Sequence, residues 1–294
     1  MRHVPLLLLL GAISVSFAQA DQNRSANEPP RNPYLADSPW PMSHRGPFNQ
    51  ASSPFAGPTE ATQAAPEFLE GDPVPITLAI SGKYADGRQA IWSATTKSIF
   101  KVDASNKSLH YAAKIPRKQT RENAISGAYS VIDRDGVYYV PRGTQIEAFC
   151  DEVKGVLNSG IKQCRTFRIP AEQLSGEDDM ILGINMTFDG RLAFVTRRGL
   201  VGVVTRDFSE YQHVKLDEAD VEVSNSIAID DDNGIYVVTN HATHRVQWNA
   251  QSKKLKSLWA VPYQTITKKL PGRLGVGSGT TPSLIGFGEQ DKFV

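Results

Sequence analysis

The sequence is poor in cysteine, in charge of one sign and in long apolar runs. Only two cysteines, Cys150 and Cys164, occur in 294 residues. Structural zinc takes four ligands, so two cysteines alone exclude a thiolate-built zinc site. In an oxidising compartment the pair, with 13 residues between them, reads as a disulfide. It would close a loop worth about 3 kcal/mol by chain entropy. The alternative is two buried free thiols. Lys plus Arg number 32 against 31 for Asp plus Glu. That balance leaves no basic face to attract nucleic acid or anionic lipid. After residue 20 no stretch is long and apolar enough to span a bilayer. No Ser-x-x-Lys, Gly-x-Ser-x-Gly or His-Glu-x-x-His pattern occurs, so hydrolase chemistry has no motif behind it.

The first twenty residues, MRHVPLLLLLGAISVSFAQA, do carry an address. A short basic start, an apolar run and Ala18-Gln19-Ala20 form a secretory signal with cleavage expected after Ala20. The alternative is an uncleaved anchor. No cysteine follows the cut site, which argues against a lipoprotein. The expected localisation is secreted or periplasmic. Residues 21–72 form a lead-in dense in Pro, Ser and Asn with no sustained period of 2 or 3.6. It reads as irregular chain on a domain surface or partly disordered. Tyr34, Trp40, Phe48 and Phe55 argue that part of it packs.

From residue 73 to 294 one unit recurs. YADGRQAIWSATTKSIFKVD, DRDGVYYVPRGTQIEAF, TFDGRLAFVTRRGLVGVV and DDDNGIYVVTNHATHRVQW each hold an acidic-Gly turn, a strand, a polar turn and a second strand. The turn glycines Gly87, Gly136, Gly190 and Gly234 are spaced by 49, 54 and 44 residues. Asp or Asn bonds its own backbone in such turns, and Gly accepts positive φ. A strand precedes each turn (76–80, 128–132, 181–188, 225–229) and another follows each unit (108–115, 163–169, 211–216, 254–261). Four antiparallel strands per unit at this spacing predict an all-β fold, a β-propeller of four-stranded blades. A sandwich is the structural rival. TTPSLIGFGEQDKFV has the register of a fifth unit cut short, so about four and a half blades are visible. The expectation is a chain truncated from a ring of six to eight blades, or one whose lead-in supplies the missing strands.

With the repeat in view, SPWPMSHRGP resembles the Trp-Pro-Met lead-in before the first blade of pyrroloquinoline-quinone-type propellers. The stretches VSNSIAIDDDNGIYVVTNHATHRVQW and GSGTTPSLIGFGEQDKFV are similar to unassigned secreted bacterial members of the quinoprotein-like superfamily. The resemblance spans about residues 35–294 and implies a propeller. The adjacent Cys-Cys pair that would sit against a quinone is absent, and only WNAQSKKLKSLW has the spacing of a tryptophan-docking turn. A second similarity, to gluconolactonase-like propellers, implies a central divalent metal such as calcium held by inner-strand Asn and Asp; Asn185 and Asn225 are the matching positions.

Propellers work through the mouth of the central channel, which the starts of the inner strands reach. Ser126, Tyr129, Asn185, Asn225, Ser226, Thr280 and Thr281 are so placed, and Tyr129, Asn185, Asn225, Ser226 and Thr281 form the expected ligand-binding set. Asn oxygens suit a hard cation, which needs several of them. The other reading is that these side chains bridge backbone. His241 and His244, in the turn between the second and third strands, could share a metal or shuttle protons, or else be solvent-facing polar residues of that turn. DRDG and DDDNG imitate the start of a calcium loop but read better as hairpin turns. Glycosylation triplets begin at Asn23, Asn106 and Asn185. The expected role is a binding scaffold for a small molecule or a protein. The alternatives are a divergent quinoprotein-like oxidoreductase and a metal-dependent lactonase-like hydrolase.

Overall fold

The computed structural model describes residues 28–52, 69, 78–103, 109–117, 128–266, 271, 276–287 and 292–294. The chain divides into a unit up to Pro30, of which only residues 28–30 are described, and a compact unit Arg31–Val294.

The second unit is a β-propeller built from four sheets of four strands, each ordered as in the chain. Blade 1 is β1 (Leu78–Ile80), β2 (Ala90–Ala94), β3 (Ser98–Asp103) and β4 (His110–Pro116). Blade 2 is β5 (Val131–Ile132), β6 (Tyr138–Arg142), β7 (Gln145–Asp151) and β8 (Ile161–Arg168). Blade 3 is β9 (Ile181–Met186), β10 (Arg191–Thr196), β11 (Leu200–Thr205) and β12 (Tyr211–Lys215). Blade 4 is β13 (Ala228–Ile229), β14 (Gly234–Val238), β15 (Ala242–Asn249) and β16 (Lys254–Pro262). Every pairing is antiparallel. The predicted strands fall where these lie; residues 76–77 of the first are outside the described residues. A fifth unit is represented by the antiparallel bridge Ile285–Phe293.

The core lies mainly between blades, in three successive layers, with a fourth, smaller cluster of Phe48, Ala228, Tyr236 and Leu284. Successive side chains of a strand leave on opposite faces, so each inner blade feeds two layers. In blade 2, Ile132, Tyr138 and Phe149 pack toward Trp92 and Ile99 of blade 1. Their neighbours Val131, Tyr139 and Ile146 pack toward Ile184 and Phe194 of blade 3. A third layer joins Val201 and Val203 of blade 3 to Ile235 and Trp248 of blade 4. Three of the four outermost pairings slip by one residue at the same place, leaving Ala112, Cys164 and Leu258 unmatched. Such bulges sharpen the twist of the outer strand.

The hairpin turns behave as their sequences predict, with one exception. Gly87, Gly136 and Gly190 sit at φ +84°, +79° and +85°. In blade 4 the left-handed residue is Asn233, at φ +65°, and Gly234 is already in β14. Gly234 is needed for another reason: a Cβ there would lie 2.6 Å from both Asp230 and Arg245.

The lead-in departs most from expectation. Residues 32–49 are not a surface segment and belong to the same compact unit as the blades. Leu35, Met42 and Phe48 are buried, and the chain threads between the innermost strands. It bonds every unit in turn. Ile80 N–H donates to Trp40 O (2.7 Å) in blade 1, and Ile132 N–H to Pro41 O (2.8 Å) in blade 2. Asn32 donates to Met186 O and Thr187 O in blade 3. Ile229 N–H donates to Pro47 O (2.8 Å) in blade 4, and Leu284 N–H to Phe48 O (2.9 Å) in the fifth unit. Inner strands would otherwise carry unpaired backbone groups into a narrow channel. The lead-in satisfies them from within. Residues 53–68 and 70–72 of this segment are outside the described residues.

Candidate functional site

Antiparallel order puts the first and third turns of every blade on one face, and the second turn and the link to the next blade on the other. The sequence-predicted set lies mostly at the second face. Thr281 Oγ1 is 3.2 Å from the Tyr129 hydroxyl and accepts the Ser226 N–H at 3.3 Å. Asn225 donates to Ser224 Oγ and Ser278 O. His44 of the lead-in stands against Tyr129, ring centres 5.9 Å apart, and burial lowers its pKa. Thr280 is exposed, and Ser126 lies outside the described residues.

Asn185 is placed differently. It is near the far end of β9, fully buried, rather than at the strand's head. Its amide donates to Pro47 O (3.1 Å) and Ile227 O (2.9 Å), and its carbonyl accepts the Met186 N–H (2.7 Å). It stitches β9 to the lead-in and to blade 4, so its oxygen is spent on backbone rather than offered to an ion, and its amide nitrogen, the atom a glycan would join, is buried and engaged. Asn23 and Asn106 lie outside the described residues. The two histidines do not converge: His244 is buried, 2.8 Å from Glu218, while exposed His241 meets Asn240. Among the described residues no three His, Cys, Asp or Glu side chains are grouped to hold a metal.

The first face carries a cavity of about 890 Å³. It is bounded by the first turns of blades 1, 2 and 3, by the third turns of blades 2 and 3, and by Tyr34 of the lead-in. That volume suits a small molecule. Tyr34 forms one wall. Its ring lies on Gly190, where a Cβ would sit 2.5 Å away, and Arg134 (4.5 Å) and Arg206 (5.5 Å) stand over it. The cavity therefore requires the lead-in as well as the blades.

Asp133 organises the opposite side. Its Oδ1 accepts the N–H groups of Asp135 and Val137, both at 2.9 Å, which closes the hairpin. Its Oδ2 accepts the Tyr139 hydroxyl (3.0 Å) and Arg206 (2.8 Å). Arg206 also reaches Asp135 at 2.6 Å, and that bond holds the Asp135 carboxyl below its usual pKa. Burial drives the Tyr139 hydroxyl upward, aided by the Asp133 charge. DRDG is thus a hairpin turn, as read, and also a cavity wall.

Blade 4 carries the same circuit with a different arginine partner. Asp230 repeats the circuit: its Oδ1 accepts Asp232 and Gly234, and its Oδ2 accepts Tyr236 (2.9 Å) and Arg245 (3.0 Å). Arg245 faces Tyr236 across the strand pair. The corresponding partner of Tyr139 is Ala148. With alanine there, arginines come from further off: Arg206 from blade 3 reaches Asp133, and Arg165 from β8, paired with Ala148, reaches the Tyr139 hydroxyl. The Cys150–Cys164 disulfide holds β7 to β8 directly beside Arg165.

At its outer end the cavity meets a buried ion pair. Lys101, fully buried in β3, donates to Asp151 (2.6 Å), Leu157 O (2.8 Å) and Ser159 O (3.0 Å). The Tyr84 hydroxyl donates to the same carboxylate at 3.3 Å. Burial raises the Asp151 pKa, with Lys101 opposing it. None of these cavity residues carries a motif; only the matching Asp-to-Tyr spacing of six in DRDGVYY and DDDNGIY could have drawn attention to them.

No protein-family model matches the chain. An uncharacterised protein of Archaeoglobus fulgidus is 41% identical over 285 residues, which cover 92% of this chain and 52% of the relative. The chain thus spans about half the length of that relative. Among solved structures, virginiamycin B lyase from Staphylococcus aureus is 17% identical with a TM-score of 0.41, covering 61% of this chain and 54% of the lyase. A protein from Lactobacillus plantarum is 18% identical with a TM-score of 0.45, covering 63% and 55%. Similarity at this level says nothing about chemistry.

Proposed function

We propose that this propeller is a small-molecule binding scaffold and that the cavity between the turns of blades 1, 2 and 3 is its site. The supporting observation is the cavity of about 890 Å³ on the turn face, walled by Tyr34, Asp133, Arg165 and Arg206. Its walls are fixed by the Asp133 circuit, the disulfide and the Lys101–Asp151 pair, so the site exists before a ligand arrives. Preorganisation of that kind reduces what binding must spend on ordering. The disulfide supports the secreted or periplasmic location to which the first twenty residues point.

The oxidoreductase and metal-dependent hydrolase alternatives receive less support. The hydrolase would draw on Asn185 and Asn225, and Asn185 is spent on backbone. A second reading keeps the channel mouth as a ligand surface, favoured by the convergence of Tyr129, Ser226 and Thr281. Ligand-observed NMR with a fragment collection tests both. Ala85 is exposed and borders the cavity, so Ala85→Trp obstructs it without touching the core. Binding lost in Ala85→Trp supports the cavity. Binding that survives in Ala85→Trp but is lost in Tyr129→Phe moves the site to the channel mouth. If no fragment binds the wild type, the scaffold reading fails.

A further inference from the structure

Six cations and six carboxylates border the cavity, so formal charge alone selects no ligand. What each group is already doing does select one. Asp133 and Asp135 accept Arg206. Asp151 accepts Lys101 and Tyr84, which leaves little of its capacity. Asp189 accepts the Trp248 indole (2.8 Å) and the Thr187 hydroxyl (2.6 Å). Asp207 accepts the Ser209 amide and hydroxyl, and the Thr205 and Ser209 hydroxyls bring its pKa down to about 2. Five of the six carboxylates are therefore engaged, and only Glu152 has no side-chain donor among the described residues.

The cations are the reverse case. Only Arg206 is paired. Lys83, Arg134, Lys154, Lys162 and Arg165 border the cavity with no carboxylate within 4.0 Å among the described residues. Arg134 rests on the Tyr34 ring, and Lys162 reaches only the Glu152 carbonyl, at 3.2 Å. Arg165 is the most telling. It is half-buried against the disulfide wall, and among the described residues it makes one long bond of 3.4 Å to the Tyr139 hydroxyl while its shielded Nε has no acceptor. A guanidinium in that setting is short of acceptors.

We infer that the ligand is a small organic anion, bearing carboxylate or phosphate oxygens that the unengaged donors receive. Arg165 and Arg134 supply planar donor edges suited to either group, and Lys83, Lys154 and Lys162 supply point charges at the rim. The half-buried Tyr34 and Tyr84 side chains border the cavity and give the non-ionic part of such a ligand apolar edges to meet. This inference rests on the cavity reading above.

Isothermal titration at low salt tests it with citrate, inorganic pyrophosphate and, as a neutral probe of similar size, sucrose. The expected result is binding of citrate or pyrophosphate but not sucrose, abolished by Ala85→Trp. Whichever anion binds tighter assigns carboxylate or phosphate. Lys83→Gln/Lys162→Gln, at exposed positions that leave the fold alone, should weaken the anion by tenfold or more; Arg165→Gln should do the same. If sucrose binds, is blocked by Ala85→Trp and ignores the lysine substitutions, the anion inference is overturned while the cavity reading stands. If the anions bind equally well to Ala85→Trp, or if no probe binds, both are overturned.

Discussion

Replacing Lys101 by methionine keeps the length of the side chain and removes its charge. In the folded protein Lys101 is fully buried, and the Asp151 side chain it meets at 2.6 Å is 10% exposed. The substitution strands a carboxylate and takes the donor from two carbonyls, Leu157 O and Ser159 O. Breaking one partner of a buried pair costs about 3–5 kcal/mol. The sign of the pH dependence follows from Asp151. Its pKa is raised by burial above the ordinary carboxylate value, and Lys101 pulls it back. Without Lys101 the folded-state value rises further. The folded variant then holds a proton that the unfolded chain has already released. Its stability is fullest below the unfolded value and is lost as pH climbs through the folded value. Urea unfolding of Lys101→Met and wild type at pH 4 and pH 7 should therefore show a smaller difference at pH 4. Lys101→Met/Asp151→Leu, which removes both charges, should recover most of the loss at pH 7. A cost below about 1 kcal/mol that does not change with pH would refute this account of the pair.

Three further expectations concern the frame around the cavity. Asn49→Ala should cost about 2–4 kcal/mol in the same assay: Asn49 bonds the buried Ile227 and Pro282 carbonyls and sits at φ +56°, which alanine resists. An unchanged midpoint would mean that the lead-in does not pin the blades. Cys150→Ser/Cys164→Ser should lose about 3 kcal/mol relative to the oxidised wild type; thiol counting on the unreduced, denatured wild type should find none, and two free thiols would contradict the bridge. Ala148→Arg should cost about 1–3 kcal/mol in stability, because Ala148 is fully buried and Arg165 and Arg206 already occupy the surroundings of Tyr139 and Asp133. An unchanged midpoint would show that blade 2 has room for the blade 4 arrangement.

Much of the architecture was legible in the chain, because strands and hairpins are local. Asp-Gly and Asn-Gly turns followed by Val, Ile, Tyr and Phe state their own structure through backbone geometry and a period of two. The strands therefore lie where the repeat placed them, and Cys150 meets Cys164 because both sit on one blade. Function was less legible. Tyr129, Ser226 and Thr281 do meet, since each precedes an inner strand and a propeller gathers those ends. Asn185 misled because the strand register places it at the other end, against Pro47.

The sequence by itself determined an all-β chain of repeated four-stranded units with one covalent staple. Local backbone preferences and alternation suffice for that. Only the tertiary structure decided that residues 32–49 run through the middle of those units, since an irregular segment has no period to betray its partners. It alone decided the cavity as well. Tyr34, Asp133, Arg165 and Arg206 are far apart in the chain and come from four separate segments. What unites them is the packing of three blades around the lead-in, which brings their turns to one face.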